Sequence, residues 1–263
     1  MPIKTLFALC CFLLLSSSVA YACDKVRDRE PGVRTSHWCT EEWIDFYWPA
    51  YHMSESDWDD GFGFDHACDR RRPLARTFQA IELLNYAGPD DATDVNDFSG
   101  DILHWGGNYT IREFANLKGR CGSDDIVAET LFGGFPWDNY TKLFIPFFYD
   151  EDVVTRAGTL IHEARHADGC GHNGNDGSNE CIAESESCDE KYKEGCNDGT
   201  IRRGGVGIKI LWLWAYAARA DSQHSNSSMK VFAQDEANVR LNTFLDVDPC
   251  FNINSSGDKI ITC

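Results

Sequence analysis

Apolar residues recur three and four positions apart in several parts of the chain, which is the spacing of helices with one buried face. The pattern predicts a helix over residues 71–86, and Gly88 and Pro89 should end it. Two further helices are expected at residues 206–220 and 230–245.

The clearest helical pattern lies between Val153 and Ala167. We place this helix at residues 152–168, where Asp150 or Asp152 can cap the first turn. The apolar residues that should form its buried face are Val153, Val154, Ala157, Leu160, Ile161 and Ala164.

Short β-branched or aromatic stretches between residues 100 and 150 predict a small sheet. They lie at Ile102–Trp105, Tyr109–Phe114 and Lys142–Tyr149, and Gly-containing turns separate them. Because Pro146 cannot donate a ladder hydrogen bond, the last stretch is expected to be an edge strand or a strand end.

Two segments lack a clean period. Residues 23–70 are rich in Trp, Tyr and Asp and predict an irregular segment tied by cystines, whereas residues 173–205 predict a loop rich in Gly and acidic residues. No internal repeat or linker divides the sequence. We therefore expect one disulfide-braced α+β domain over residues 23–263, with two lobes around the 152–168 helix.

Residues 1–22 have the pattern of a secretory signal peptide. Lys4 precedes an apolar run, and Ala20 and Ala22 form an A-x-A cleavage site. The mature chain is then expected to be secreted. Loss of Lys4 leaves 23 basic against 42 acidic residues, so the net charge changes from −18 to −19.

The cysteine content agrees with an oxidising, extracellular environment. Ten of the twelve cysteines remain after residues 1–22 are removed, an even number that permits up to five disulfides of open pairing. The ten are Cys23, Cys39, Cys68, Cys121, Cys170, Cys181, Cys188, Cys196, Cys250 and Cys263. Four Asn-x-Ser/Thr sequons suit a glycoprotein with Asn108, Asn139, Asn226 and Asn254 on its surface.

The charge excludes some partners. With 24 Lys and Arg against 42 Asp and Glu, the chain would repel a phosphate backbone, so no nucleic-acid partner is expected.

The most apolar segment of the mature chain, residues 207–219, is shorter than the ~20 residues of a spanning helix and contains Lys209. A membrane span is therefore not expected.

The end of the 152–168 helix and the residues after it carry a candidate metal site. His162, Glu163 and His166 form the pattern HExxH, and Gly169 and His172 extend it to HExxHxxGxxH. The four-residue spacing puts His162 and His166 on one helix face, where both imidazoles can bind one Zn²⁺. Gly169 permits the left-handed backbone that ends a helix, so the chain can return His172 as a third ligand. Three nitrogen ligands leave a fourth position open, which is typical of catalytic zinc.

This extended motif resembles the zinc-binding signature of the metzincin clan of metallopeptidases. The resemblance implies a zincin-like fold. It implies His162, His166 and His172 as the zinc ligands, and it implies Glu163 as the general base. The clan's buried methionine turn would fall on Met229, the sole candidate downstream of the motif. A glycan on the nearby sequon of Asn226 needs solvent where such a turn needs burial, so only one of these two features is expected to be used.

Other residues could supply a zinc ligand. The segment 156–160 before the motif also resembles that of fungal deuterolysin-type zinc peptidases, which implies Asp168 or Asp176 as a third ligand. Cys170, inside the motif, could bind zinc as a thiolate. In an oxidising compartment a disulfide to Cys181, Cys188 or Cys196 is favoured over ligation.

We therefore predict a secreted zinc metalloendopeptidase that hydrolyses peptide bonds with a zinc-activated water and Glu163 as general base. Its expected cofactor is Zn²⁺ and its expected partner is a protein or peptide substrate. The alternative is a secreted, disulfide-rich glycoprotein with a structural or vestigial zinc site, which acts as a binding or matrix component.

Overall fold

Helices make up most of the part of the chain that the structure describes. The computed structural model describes residues 39–63, 66–88, 102–122, 125–131, 139–168, 205–219, 224–244, 251–253 and 259–261. Within these ranges the helices are α1 (Glu41–Ala50), α2 (Pro73–Tyr86), α3 (Ile102–Glu113), α4 (Ile145–Tyr149), α5 (Val153–Ala167), α6 (Gly205–Ala218) and α7 (Ser227–Phe244).

The predicted helices are confirmed at four places, as α2, α5, α6 and α7. α2 begins at Pro73, whose missing N–H costs nothing in a first turn. α5 begins after Asp152, whose side chain accepts hydrogen bonds from the backbone N–H groups of Val154 and Thr155. All six apolar residues expected on the inner face of α5 are buried.

A three-stranded sheet lies beside α5. Its strands are β1 (Leu117–Gly119), β2 (Ala128–Leu131) and β3 (Tyr140–Leu143), in the spatial order β1-β3-β2. β1 runs parallel to β3, and β2 runs antiparallel to β3 with Thr130 opposite Thr141. A separate antiparallel pair joins β4 (Phe251–Ile253) and β5 (Lys259–Ile261). The described residues thus form a mixed α+β fold, as predicted.

Two of the three stretches predicted as strands are wrong. Ile102–Trp105 and Tyr109–Phe114 belong to α3 and to the residue that follows it. The intervening glycines that indicated a turn lie inside this helix and permit close packing. A Cβ on Gly106 would lie 2.9 Å from Trp212 of α6, and one on Gly107 would lie 2.8 Å from the Leu84 carbonyl oxygen of α2.

The third stretch, Lys142–Tyr149, is divided between two elements. Only Lys142 and Leu143 belong to β3, and α4 begins at Ile145. Pro146 stands in the first turn of α4, where its fixed φ suits the helix and no N–H is needed. The proline therefore marks the start of a helix and not a sheet edge.

The segment before α2 is confirmed as cystine-tied but is not irregular throughout. A disulfide joins Cys39 and Cys68, whose Cα atoms lie 5.2 Å apart. Between them α1 begins after Thr40, which accepts a hydrogen bond from the N–H of Trp43. The period of α1 is hidden in the sequence because just Trp43 and Tyr47 of its ten residues are buried.

α5 occupies the centre of the described core. It packs against α2, α3 and α6, and it also contacts β2 and β3. Within the described residues, no helix has the length and apolar character needed to cross a membrane. The last two turns of α5 carry the candidate metal ligands, so the packing of this one helix positions the site.

Candidate metal site

The two histidines of α5 converge as predicted. The Nε2 atoms of His162 and His166 lie 3.0 Å apart, and the rings are nearly perpendicular at 88°. Two nitrogens bound to one tetrahedral zinc, each at about 2.0–2.1 Å, would be separated by about 3.3 Å. With Glu163 the pair forms a group whose potential ligand atoms all lie within 4.8 Å of one another. The group can therefore hold a metal ion.

The carboxyl group of Glu163 is held by the sheet. The hydroxyl of Thr130, in β2, donates to Glu163 Oε2 at 2.7 Å and also lies 3.2 Å from the Glu163 carbonyl oxygen. Thr141 of β3, directly opposite, lies 2.8 Å from Thr130 between the two hydroxyl oxygens. Because Thr130 has a single hydroxyl proton, its donation to Glu163 leaves Thr141 as the donor to Thr130. A chain of two hydroxyl groups thus fixes the carboxyl group.

The side chain of Glu163 is buried, with 4% of its surface exposed. Burial raises the pKa of Glu163 to about 7, while the hydrogen bond from Thr130 and the charge of Lys209 act to lower it. The nearby carboxyl group of Glu151 acts in the same direction as burial. The site therefore combines a buried carboxyl group with two imidazoles.

Asp168 does not join this group. It is the residue that follows α5, and at 100° per residue it lies about 160° around the helix from His166. Its Oδ2 accepts hydrogen bonds from Tyr109 Oη at 3.0 Å and from Arg165 Nη1 at 2.5 Å. These contacts tie Asp168 to α3 and leave the alternative that the deuterolysin resemblance implied without support at this residue.

Several site predictions fall outside the described residues. The residues concerned are Gly169, Cys170, His172 and Asp176, none of which the structure describes. The third ligand and the expected disulfide of Cys170 therefore stay predictions.

Met229 and Asn226 lie one helical turn apart at the start of α7 and differ in burial. Asn226 is exposed and caps α7, with its Oδ1 accepting from the N–H of Met229 at 3.1 Å. Met229 is 4% exposed, so burial and exposure coexist within one helical turn. Met229 lines a cavity with Val153 and Val154 at the start of α5, roughly 13 Å along that helix from His162. It therefore does not lie beneath the histidine pair.

The sequence analysis missed Thr130 and Thr141. Both stand in short strands of mixed polarity, and their role follows only from the pairing of β2 with β3 and the packing of β2 on α5.

Comparison of the chain with protein-family models, curated proteins and solved structures finds no match.

Proposed function

We propose that the chain is a secreted zinc-dependent peptidase with a zincin-like catalytic centre on α5. The observation that carries the proposal is the convergence of the His162 and His166 Nε2 atoms, 3.0 Å apart, beside the buried carboxyl group of Glu163. A histidine pair alone suits a structural site as well. A carboxyl group next to it, oriented by Thr130, supports general-base chemistry in addition.

The donor set suits zinc. Imidazole nitrogen is a preferred zinc ligand, and the 3.0 Å separation is close to that of two ligands on one tetrahedral ion. His162 and His166 would hold the ion, and His172 remains the predicted third ligand. Zinc, when bound, supplies a Lewis acid that polarises a carbonyl group and makes water reactive near neutral pH.

Glu163 is the residue that moves the proton. Its carboxylate takes a proton from the attacking water and returns it to the leaving amine. Thr130 donates to one carboxylate oxygen, Oε2, at 2.7 Å, and we assign the proton transfer to the other oxygen, Oε1. The hydrogen bond from Thr130 to Oε2 therefore keeps the carboxylate oriented while it takes the proton and while it returns it.

The position of β2 favours an extended peptide as substrate. Within the described residues β2 pairs with β3 on one side, and its Thr130 contacts Glu163. A peptide that pairs with the other edge of β2 would run past the same carboxyl group, because added strands follow the edge they bind. The substrate class that fits is therefore an unfolded or extended polypeptide segment.

The test combines metal content, chelation and two substitutions on the purified mature chain. We expect about one zinc per chain and chelator-sensitive cleavage of a denatured protein substrate. Glu163→Gln should retain zinc and lose roughly 10²- to 10⁴-fold in kcat, because the base is not a ligand. His166→Ala should lose zinc together with activity.

The outcomes separate the two functions. Zinc in the wild-type chain without any cleavage would favour the binding or matrix glycoprotein. Equal loss of zinc in Glu163→Gln and His166→Ala would contradict the separate roles of base and ligand. Absence of zinc from the wild-type chain under saturating conditions would overturn the metal centre itself.

A further inference from the structure

α5 and α6 approach each other closely at two glycines. A Cβ on Gly158 of α5 would lie 3.1 Å from Lys209 Cγ of α6, and one on Gly205 of α6 would lie 2.7 Å from His162 Nδ1 of α5. His162 follows Gly158 by four residues, and Gly205 precedes Lys209 by four. The helices therefore run antiparallel, and the two contacts lie about 6 Å apart along them.

The Gly205 contact involves a ring edge and the backbone. Its added Cβ would also lie 3.0 Å from Cε1 of the His162 ring and 3.0 Å from the His162 carbonyl oxygen. The glycines with positive φ among the described residues are Gly61 and Gly63, so the backbone of Gly205 would accept alanine without strain. The space occupied by His162 is what requires a glycine at position 205.

This contact fixes the orientation of a candidate ligand. The Nε2 atom of His162 faces His166, while Nδ1 faces the backbone of Gly205. Because the imidazole ring is rigid, a displacement of its Nδ1 and Cε1 edge also moves Nε2. Loss of the hydrogen-bond partners that orient a ligating histidine costs about 10- to 100-fold in metal affinity, and we expect a steric displacement of the ring to cost a similar factor.

We propose that Gly205 is a positioning residue for the metal centre, a role that rests on the zinc site proposed above. Gly205 lies against the His162 ring, and the absence of a side chain there lets the ring present Nε2 beside that of His166. α6 thereby contributes to metal binding without supplying a ligand.

The experiment measures Zn²⁺ affinity on the full mature chain by competition with a chromophoric chelator. Gly205→Ala should bind Zn²⁺ about 10- to 100-fold more weakly than wild type. Its Co²⁺ adduct should show an altered visible absorption spectrum, because the ligand geometry changes. Gly158→Ala is the matched control: it adds a methyl group to the same helix pair, but the atoms it would meet belong to Lys209 and Leu213 and not to His162, so it should retain wild-type affinity and spectrum.

A second comparison covers the case in which Gly205→Ala lowers stability. The free energy of unfolding is measured without metal for Gly205→Ala in the wild-type and His162→Ala backgrounds. Removal of the ring should reduce the cost of alanine at position 205, and contact with the carbonyl oxygen should leave a remainder. An equal cost in both backgrounds would show that the ring is not the contact and would overturn the proposal.

The outcomes distinguish this inference from the proposed function. Tight Zn²⁺ binding by wild type and equal binding by Gly205→Ala would overturn the role of Gly205 alone. An equal loss of affinity in Gly158→Ala would also overturn it, because general loosening of the helix pair would then be the cause. No Zn²⁺ binding by wild type would overturn the metal centre and this inference together.

Discussion

Thr130 supports Glu163 from a strand that is 33 residues away in the sequence. Its Oγ1 is 2.7 Å from Glu163 Oε2, and Thr141 supports Thr130 in turn. A hydrogen bond to a charged group contributes about 1.5–3 kcal/mol, which makes this contact large enough to affect catalysis.

Thr130→Val keeps the shape of the side chain and removes the hydroxyl. We expect kcat to fall roughly 10- to 100-fold at unchanged zinc content, because Glu163 loses the bond that orients it. Thr130→Ser restores the hydroxyl and should restore most of kcat. Steady-state kinetics and metal analysis of the three proteins check this. An equal loss in the serine variant would assign the effect to packing.

The residues of the candidate site fall into two groups, those that the sequence predicted and those that only the structure shows. His162, Glu163 and His166 were predictable because their spacing along one helix is itself the geometric information. Thr130 and Gly205 were not, because each contact joins residues more than thirty positions apart and depends on how β2 and α6 pack on α5. Local spacing indicates the ligands, and tertiary packing decides what holds them.

Glu82 is a buried carboxyl group outside the candidate site. It lies in α2 with 1% of its surface exposed, and its Oε1 is 3.7 Å from Nδ1 of His224. Burial raises the pKa of Glu82 to about 8, and the charge of Arg70 lowers it in part. Folding therefore favours the protonated carboxyl group.

The sign of the pH effect follows from this raised pKa. Between pH of about 4.5 and 8 the unfolded chain releases the Glu82 proton and the folded chain keeps it, so its contribution to stability falls by up to about 1.4 kcal/mol per pH unit. Glu82→Gln removes this contribution. Urea unfolding of both proteins from pH 5 to 8 should show the variant gaining stability relative to wild type as pH rises. A constant difference would contradict the raised pKa.

The contact among α5, α6 and α7 contains a buried ionic cluster. Lys209 of α6 is 3% exposed and donates to Thr159 of α5 at 2.9 Å. Its Nζ lies 3.8 Å from Glu151, which precedes α5, and 3.4 Å from Glu236 of α7. Glu236 also pairs with Arg240 at 2.7 Å. Opposite charges from α6, from α7 and from the residues just before α5 thus form one cluster, and Thr159 of α5 joins it by a hydrogen bond.

Lys209→Met should destabilise the fold by about 3–5 kcal/mol, because it removes the cation and leaves the buried Glu151 carboxylate without it. The double variant Lys209→Met with Glu151→Gln removes that uncompensated charge and should recover part of the loss. Urea unfolding of the metal-free proteins measures both effects. A double variant as unstable as the sum of its two single variants would show that the charges are not coupled.

The helices were more predictable than the strands for a physical reason. α5 carries its apolar residues three and four positions apart, so its sequence has a helical period, and its six predicted inner residues are buried. α3 is contacted by α2, α5 and α6, and its Gly106 and Gly107 serve close packing, which a local pattern cannot distinguish from a turn. The strands have three or four residues each, too few to establish a period of two.

The net charge acts on the molecule as a whole. It is −18 for the entire chain and −19 for the expected mature chain, and it creates a field that attracts cationic peptides and repels anionic ones. At 0.01 M salt the screening length is roughly 30 Å, and at 0.15 M it shrinks to about 8 Å. Long-range attraction is therefore strong only at low ionic strength.

This field predicts how substrate encounter depends on salt. Two peptides with the same cleavage segment, one with flanking Lys residues and one with flanking Glu residues, should differ in kcat/KM at low salt in favour of the Lys peptide. The difference should shrink as salt rises, because screening removes long-range attraction and leaves local contacts unchanged. Initial rates from 0.01 to 0.3 M salt, at a substrate concentration well below KM, measure this directly. A preference that persists undiminished at high salt would place its origin in direct contacts near the site, whereas a preference for the Glu peptide at low salt would contradict control of encounter by net charge.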